Sequence, residues 1–281
     1  MIKIITDSTC DLSPERQRTL GVEVVPLSVH FGEETFRDGV DLTFGDFYRK
    51  LEHADTLPTT SQVNPEEFSI QFRSHVENGD QVVGIFLSSL LSGTCQSALI
   101  ARELVDEENI FVVDSGSASF ALGLLVEQAA RLRDEGLSPE ELTAELKRLA
   151  GRLRFYVVVE TLKYLRMGGR ISSAAAVAGE LLGINPILNI RDGVVQAAGK
   201  ARGRKSAYQW MAARILEDPI DTSLPVAFGQ ADRPEVLKEI ESFFSEKTPG
   251  IDIRESDMGA VVGTHTGPGC FGIAYFCTEA Q

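Results

Sequence analysis

Gln81-Val82-Val83-Gly84-Ile85-Phe86-Leu87 runs directly into Ser88-Ser89-Leu90-Leu91-Ser92-Gly93-Thr94-Cys95, and the reading of this stretch decides the fold. Its first part is apolar at successive positions, so both faces of a strand would be covered, as in a parallel sheet. The second part is rich in hydroxyls, and the spacing from 95 to 104 predicts a helix. The same order recurs on either side. Short β-branched runs lie at 2–6, 22–29, 109–113 and 155–160, and each ends in polar or small residues. Between them, Ser13-Pro14-Glu15-Arg16, Asn64-Pro65-Glu66-Glu67 and Ser138-Pro139-Glu140-Glu141 each place a capping side chain before a first-turn proline. Strand and helix alternate, so residues 1–155 are expected to form an α/β domain on an open parallel sheet.

Residues 156–281 read differently. A small, apolar helical stretch at 172–182 is stopped by Asn185-Pro186. Runs at 186–190 and 194–198 flank Arg191-Asp192-Gly193, a hairpin signal. Helices are expected at 205–217 and 234–244, and strands at 225–228, 251–255 and 273–276. This half is expected to be a second, α+β domain.

Composition narrows the function. The 281 residues carry 43% apolar and 24% charged side chains, an ordinary globular balance. A net charge of −14 disfavours nucleic acid and anionic membrane as general partners, because both repel the chain. Cys10, Cys95, Cys270 and Cys277 have neither disulfide nor zinc spacing, so a reduced compartment and no metal are expected. The first residues reach Asp7 too early for a signal peptide, and the apolar stretch 117–126 is too short to span a bilayer. A cytoplasmic protein without stable membrane insertion is expected. Residues 152–205 hold ten basic side chains against three acidic ones, a +7 segment in an acidic chain, and this asymmetry points to an anionic partner or phosphate.

In open parallel sheets ligands bind beyond the carboxyl ends of the strands. There the chain places Thr6-Asp7-Ser8-Thr9, Ser88 to Thr94, and Asp114-Ser115-Gly116-Ser117, with Thr59-Thr60-Ser61-Gln62 as a further loop. Hydroxyls and free N–H groups at a helix start make an anion site without a formal cation, and Ser92-Gly93-Thr94 suits this best. Helix capping explains any one of these loops; four on one crevice weigh equally for an oxyanion pocket. Nucleotide-binding and hydrolase-elbow motifs are absent. Gly168-Gly169-Arg170-Ile171 could present an arginine to an anion. His265 sits in Gly263-Thr264-His265-Thr266-Gly267-Pro268-Gly269, expected to be a tight glycine-rich loop, and is the candidate functional histidine. His30, His53 and His75 are read as structural.

Taken in order, Ile5-Thr6-Asp7-Ser8-Thr9-Cys10-Asp11-Leu12, Thr60-Ser61-Gln62, Leu91-Ser92-Gly93-Thr94, Val113-Asp114-Ser115, Tyr164 to Ile171 and Gly263 to Gly269 resemble the DegV family, the fatty-acid-binding (FakB) subunits of bacterial fatty acid kinase systems. The resemblance runs nearly end to end. It implies one long-chain fatty acid held between or beneath two domains, with Thr60 and Ser92 on the carboxylate. His265 and the Ser61, Gly93 and Thr94 stretch would lie nearby, and the acyl chain would enter the second domain. It implies no cofactor and no activity of the chain alone. A separate ATP-binding kinase subunit would phosphorylate the carboxylate for phospholipid synthesis, with His265 serving phosphoryl transfer and Arg170, Arg202 and Arg204 facing the phosphate or the kinase. The chain departs from the family pattern at Val63-Asn64 before Pro65, at Cys95 and at Met167. Two other readings stay open: a self-contained enzyme using His265 on a small anionic substrate, and a fatty-acid-sensing regulator.

Overall fold

The computed structural model describes residues 1–171, 183–245, 248 and 250–279. The helix expected at 172–182 lies outside the described residues.

The chain opens with β1 (Ile2–Asp7), a short 3-10 turn at Ser8–Cys10, α1 (Pro14–Leu20) and β2 (Val22–Val25). Next come β3 (Ser28–Phe31), β4 (Glu34–Arg37), α2 (Phe44–Glu52), β5 (Thr59–Ser61), α3 (Pro65–Val76), β6 (Gln81–Phe86), α4 (Thr94–Val105) and β7 (Ile110–Asp114). The first sheet has the order β2-β1-β6-β7 and is parallel throughout. Ser13, Asn64 and Ser138 cap the helices they precede, each accepting from the backbone N–H three residues on.

Two expectations need correction here. The run at 22–29 is not one strand. Pro26 has no N–H to donate, and on either side of it β2 stays in the parallel sheet while β3 joins a three-stranded antiparallel sheet, order β4-β3-β5. Thr59-Thr60-Ser61 is not loop but β5, paired with β3.

The long helix α5 (Ser119–Asp134) and α6 (Pro139–Arg152) lead to β8 (Leu153–Val158), followed by α7 (Lys163–Met167), β9 (Asn185–Arg191) and β10 (Val194–Ala201). The chain continues through α8 (Gly203–Glu217), β11 (Val226–Gln230), α9 (Glu235–Ser245), β12 (Ile253–Asp257), α10 (Ala260–Thr266) and β13 (Phe271–Phe276). The second sheet has the order β10-β9-β8-β13-β11-β12. It is mixed: only β11 and β12 run parallel. The run at 155–160, read as a parallel strand, therefore pairs antiparallel with both its neighbours. It is buried on both faces because helices cover both, a setting in which apolar pattern does not report direction. The turn between β9 and β10 has Asp192 and Gly193 at φ 53° and 77°, the left-handed pair a two-residue hairpin requires.

α5 explains the apolar stretch at 117–126. It packs on β1 and β6 of the first sheet and on β8, β11 and β13 of the second. A helix between two sheets has no wet face, and its residues are nearly all buried. Its buried Glu127 is held by Arg16 from α1 at 2.6 Å and by Arg254 from β12 at 2.9 Å, tying the two sheets together through one carboxylate. Among the described residues no helix is long and apolar enough to cross a membrane.

Candidate functional site

Between the sheets lies a cavity of about 320 Å³, bounded by the ends of β1, β5 and β6, the start of α5, and the inner faces of β8, β9, β10 and α10. The volume is within the usual range for small-molecule sites. Its lining falls into two parts.

One part is polar. β5 alternates its side chains, so Thr60 faces inward while Ser61 turns to His30, whose Nε2 lies 2.9 Å from the Ser61 hydroxyl. The Thr60 hydroxyl is 3.0 Å from His265 Nε2. Ser92 comes from the loop after β6 and shares its hydroxyl with Thr94 at 3.0 Å. Arg170 reaches in from the Gly168-Gly169 turn, held by the carbonyls of Gly168 at 2.6 Å and Leu91 at 3.2 Å. Thr60, Ser61, Ser92, Arg170 and His265 all border the cavity, whereas Gly93 and the fully buried Thr94 support it from behind. Gly93 must lack a Cβ because the Gln62 amide occupies that space.

His265 is not in a loop. It occupies the last turn of α10, and the turn begins only at Gly267. Met258, Gly259 and Ala260 at the start of this helix are fixed from elsewhere. Tyr48 donates to the Met258 carbonyl at 3.1 Å, Asp11 accepts from Gly259 N–H at 2.9 Å, and Asp38 accepts from Ala260 N–H at 3.1 Å. Burial raises both carboxyls, Asp38 to about 6. Asp7, also raised by burial to about 6, accepts from Thr9 N–H at 2.9 Å and Leu87 N–H at 2.8 Å and so joins the ends of β1 and β6. None of these three aspartates was singled out from sequence. Only Asp7 carried a local signal, as an acid closing an apolar strand, where it is either a ligand or a clamp.

Burial, with Arg170 as a second cause, pushes the His265 imidazole down to about 4, so the ring is neutral near pH 7. Its Nδ1 is buried with no partner among the described residues, closed off by Gly168, where a Cβ would strike the ring. Nε2 is thus the ring nitrogen with a partner, the Thr60 hydroxyl. A ring that donates Nε2–H to the Thr60 oxygen frees the threonine hydroxyl proton for an anion in the cavity.

The other part is apolar, formed by side chains such as Phe155, Val157, Leu188, Val195 and Val261. It lies between the sheets rather than within the second one, and no sequence motif marks it.

Some expected site elements lie elsewhere. The loop Asp114 to Ser117 borders a separate polar cavity with Ser88 and Ser89. Arg202 and Arg204 flank the start of α8 and border neither cavity; Arg204 is paired with Glu235 and Glu239 of α9 at 2.9 Å each. Arg152 and Arg154 are likewise paired, with Asp221 and Asp218, so part of the basic segment is neutralised from outside it. The other histidines have structural partners: His53 bonds the Arg49 carbonyl, His75 pairs with Glu23, and His30 joins Thr35 to Ser61. Cys95 is buried in α4 away from the cavity.

The fold agrees with known proteins over nearly the whole chain. A fatty-acid-binding DegV family protein from Thermus thermophilus superposes with a TM-score of 0.90 at 34% identity, covering 99% of both chains. DegV of Bacillus subtilis, described as a fatty acid binding protein, gives 0.88 at 36% over 99% of both. A stearic acid-binding protein from Eubacterium ventriosum gives 0.88 at 34%, covering 99% of this chain and 98% of that one. The family model for uncharacterised proteins of the DegV family matches residues 1–278, and the chain belongs to the DegV family.

Proposed function

We propose that the chain binds one long-chain fatty acid and presents its carboxylate to a separate ATP-dependent kinase subunit, which converts it to an acyl-phosphate. The observation that carries this reading is the division of one cavity into a hydroxyl-, imidazole- and guanidinium-lined end and a hydrocarbon-lined remainder. Fatty acid binding in similar proteins supports it.

The chemistry follows from the lining. Each methylene moved from water into the apolar part contributes about 0.8 kcal/mol, so the tail supplies most of the affinity. At the head, Ser92 and Thr60 donate hydroxyl protons to the carboxylate, and Arg170 offsets its charge. A neutral imidazole behind Thr60 orients that hydroxyl without spending a second positive charge. During phosphoryl transfer the same donors hold the attacking oxygen and steady developing charge. The chain carries no nucleotide-binding motif, which leaves ATP to the partner.

The test has two steps. Native mass spectrometry of the purified protein should show a retained long-chain acid. Adding a fatty acid kinase subunit and ATP should then yield acyl-phosphate, trapped as a hydroxamate. An empty protein that takes up no added fatty acid contradicts the reading. Uptake without phosphorylation leaves binding and removes the presenting role.

A further inference from the structure

Two cavities meet at one wall. The fatty-acid cavity and the polar cavity of about 700 Å³ beside it share Phe155, Asn189 and Ile190, and no others of their lining residues among the described ones. Thr60, Ser92, Arg170 and His265 border only the first, so none of them takes part in the shared wall, whose side chains belong to the apolar part. Side chains alternate along β8 and β9. Phe155, Val157, Leu188 and Ile190 pack into the core facing α5, whereas Tyr156, the register partner of Asn189, packs into the core on the other side of the sheet. The wall's side chains are therefore those of Phe155 and Ile190, with Asn189 contributing its backbone.

Both are braced. The Phe155 ring meets Phe120 edge-on with centroids 5.0 Å apart, and Phe120 in turn fills the space beside Gly229 where a Cβ would collide. Ile190 faces its cross-strand partner Val195, and the tip of this hairpin is pinned by the Ser88 hydroxyl donating to the Gly193 carbonyl at 2.7 Å. Beyond the wall the lining changes character, to Ser89, Asp114, Ser115, Arg154 and Asp218. A methylene pushed through would leave hydrocarbon for a wet, charged space and gain nothing.

We propose that Phe155 and Ile190 are the end-stop of the acyl chamber and set the length and terminal chemistry of the acids it accepts. This rests on the fatty-acid reading above. Ile190 is the residue to alter, since it is only half-buried whereas Phe155 belongs to the core. Ile190→Ala opens the chamber into the polar cavity. It should favour chains longer than the wild-type optimum, and long ω-hydroxy acids above all, because their terminal hydroxyl would then reach polar groups.

The experiment is competition for the purified, delipidated protein by an equimolar series of saturated acids from lauric to behenic, with ω-hydroxy counterparts, read by native mass spectrometry. Wild type should show a length optimum. In Ile190→Ala the optimum should move by about two methylenes, with at least about a tenfold gain for the longer ω-hydroxy acids. Ile190→Phe thickens the wall instead and should move the optimum toward shorter chains. Folded, loaded variants with the wild-type length profile would overturn the end-stop while leaving the fatty-acid reading intact. A wild-type protein that takes up no acid in the series would overturn the underlying reading itself.

Discussion

At one end of the cavity Thr60, Ser92, Arg170 and His265 converge from four separate segments, whereas along the rest Val157, Leu188 and Val195 from three successive strands, with Val261 from α10, line it with hydrocarbon. The polar end is assembled with each group already partnered: Thr60 with His265, Ser92 with Thr94, Arg170 with two carbonyls. A carboxylate arriving there would exchange bonds rather than find them unmade, so the net gain would be modest and mostly directional. The apolar end has no such internal competition, and every methylene it covers counts. Affinity should reside in the chamber and orientation in the rim.

The comparison breaks most sharply if the chamber is made polar. Leu188→Asp puts an unpaired carboxylate against the acyl chain and should lower fatty-acid affinity by at least about a hundredfold, with some loss of stability. Titration calorimetry on protein shown to be folded by circular dichroism checks this. Retention of near-normal affinity would mean that the tail lies elsewhere.

At the rim, Thr60→Ala with Ser92→Ala should cost about 1 kcal/mol for each bond lost, because the free hydroxyls already have partners, while lipid still copurifies. Unchanged affinity in the folded double mutant would remove both residues from the head-group site. Acyl-phosphate production should fall further than binding does, since the carboxylate is no longer aimed.

His265 sharpens the comparison through pH. Its folded-state value of about 4 lies below the ordinary 6.5. Between those values the unfolded chain takes up a proton that the folded one refuses, so stability falls as pH drops. From pH 7 to pH 5 that loss is about 2 kcal/mol for the ligand-free protein. Asp7 and Asp38, raised to about 6, work in the opposite sense, because the folded state takes their protons first and gains stability on acidification. Urea denaturation at the two pH values should show His265→Gln gaining about 2 kcal/mol relative to wild type at pH 5. An identical pH dependence in both proteins would mean that the ring is not held neutral by burial.

How much of this was legible in the sequence depended on range. Ser13, Asn64 and Ser138 announced their helices, and Asp192-Gly193 announced its hairpin, because caps and turns are set by a few adjacent residues. The parallel sheet followed from doubly apolar strands alternating with helices. Strand direction at 155–160 did not follow, since a strand covered on both faces reads alike in either sense. Thr60, Ser92 and His265 were within reach of motif reading, but the relay through Thr60 was not, because it depends on Gly168 closing off the other ring nitrogen. Asp11 and Asp38, far from α10 in sequence, were invisible as its anchors, and the chamber, made of ordinary valines and leucines, carries no local mark at all.

The smallest effect is expected outside the cavity, at residues that do not line it. Arg202→Glu with Arg204→Glu should leave fatty-acid binding unchanged and slow association with the kinase subunit several-fold, in a salt-dependent way. Arg204 is already shared between Glu235 and Glu239, so Arg202 should account for most of the change. Stopped-flow association at two ionic strengths measures it. Rates insensitive to both substitution and salt would make this surface a solvated face only.

The central claim, that the carboxylate of a bound fatty acid sits among Thr60, Ser92, Arg170 and His265, is tested most directly by carbon NMR of the protein loaded with an acid labelled at its carboxyl carbon. The account predicts one bound resonance that does not titrate between neutral pH and pH 5, and that moves on Ser92→Ala. A bound resonance that titrates like a free carboxylic acid and ignores Ser92→Ala would contradict it.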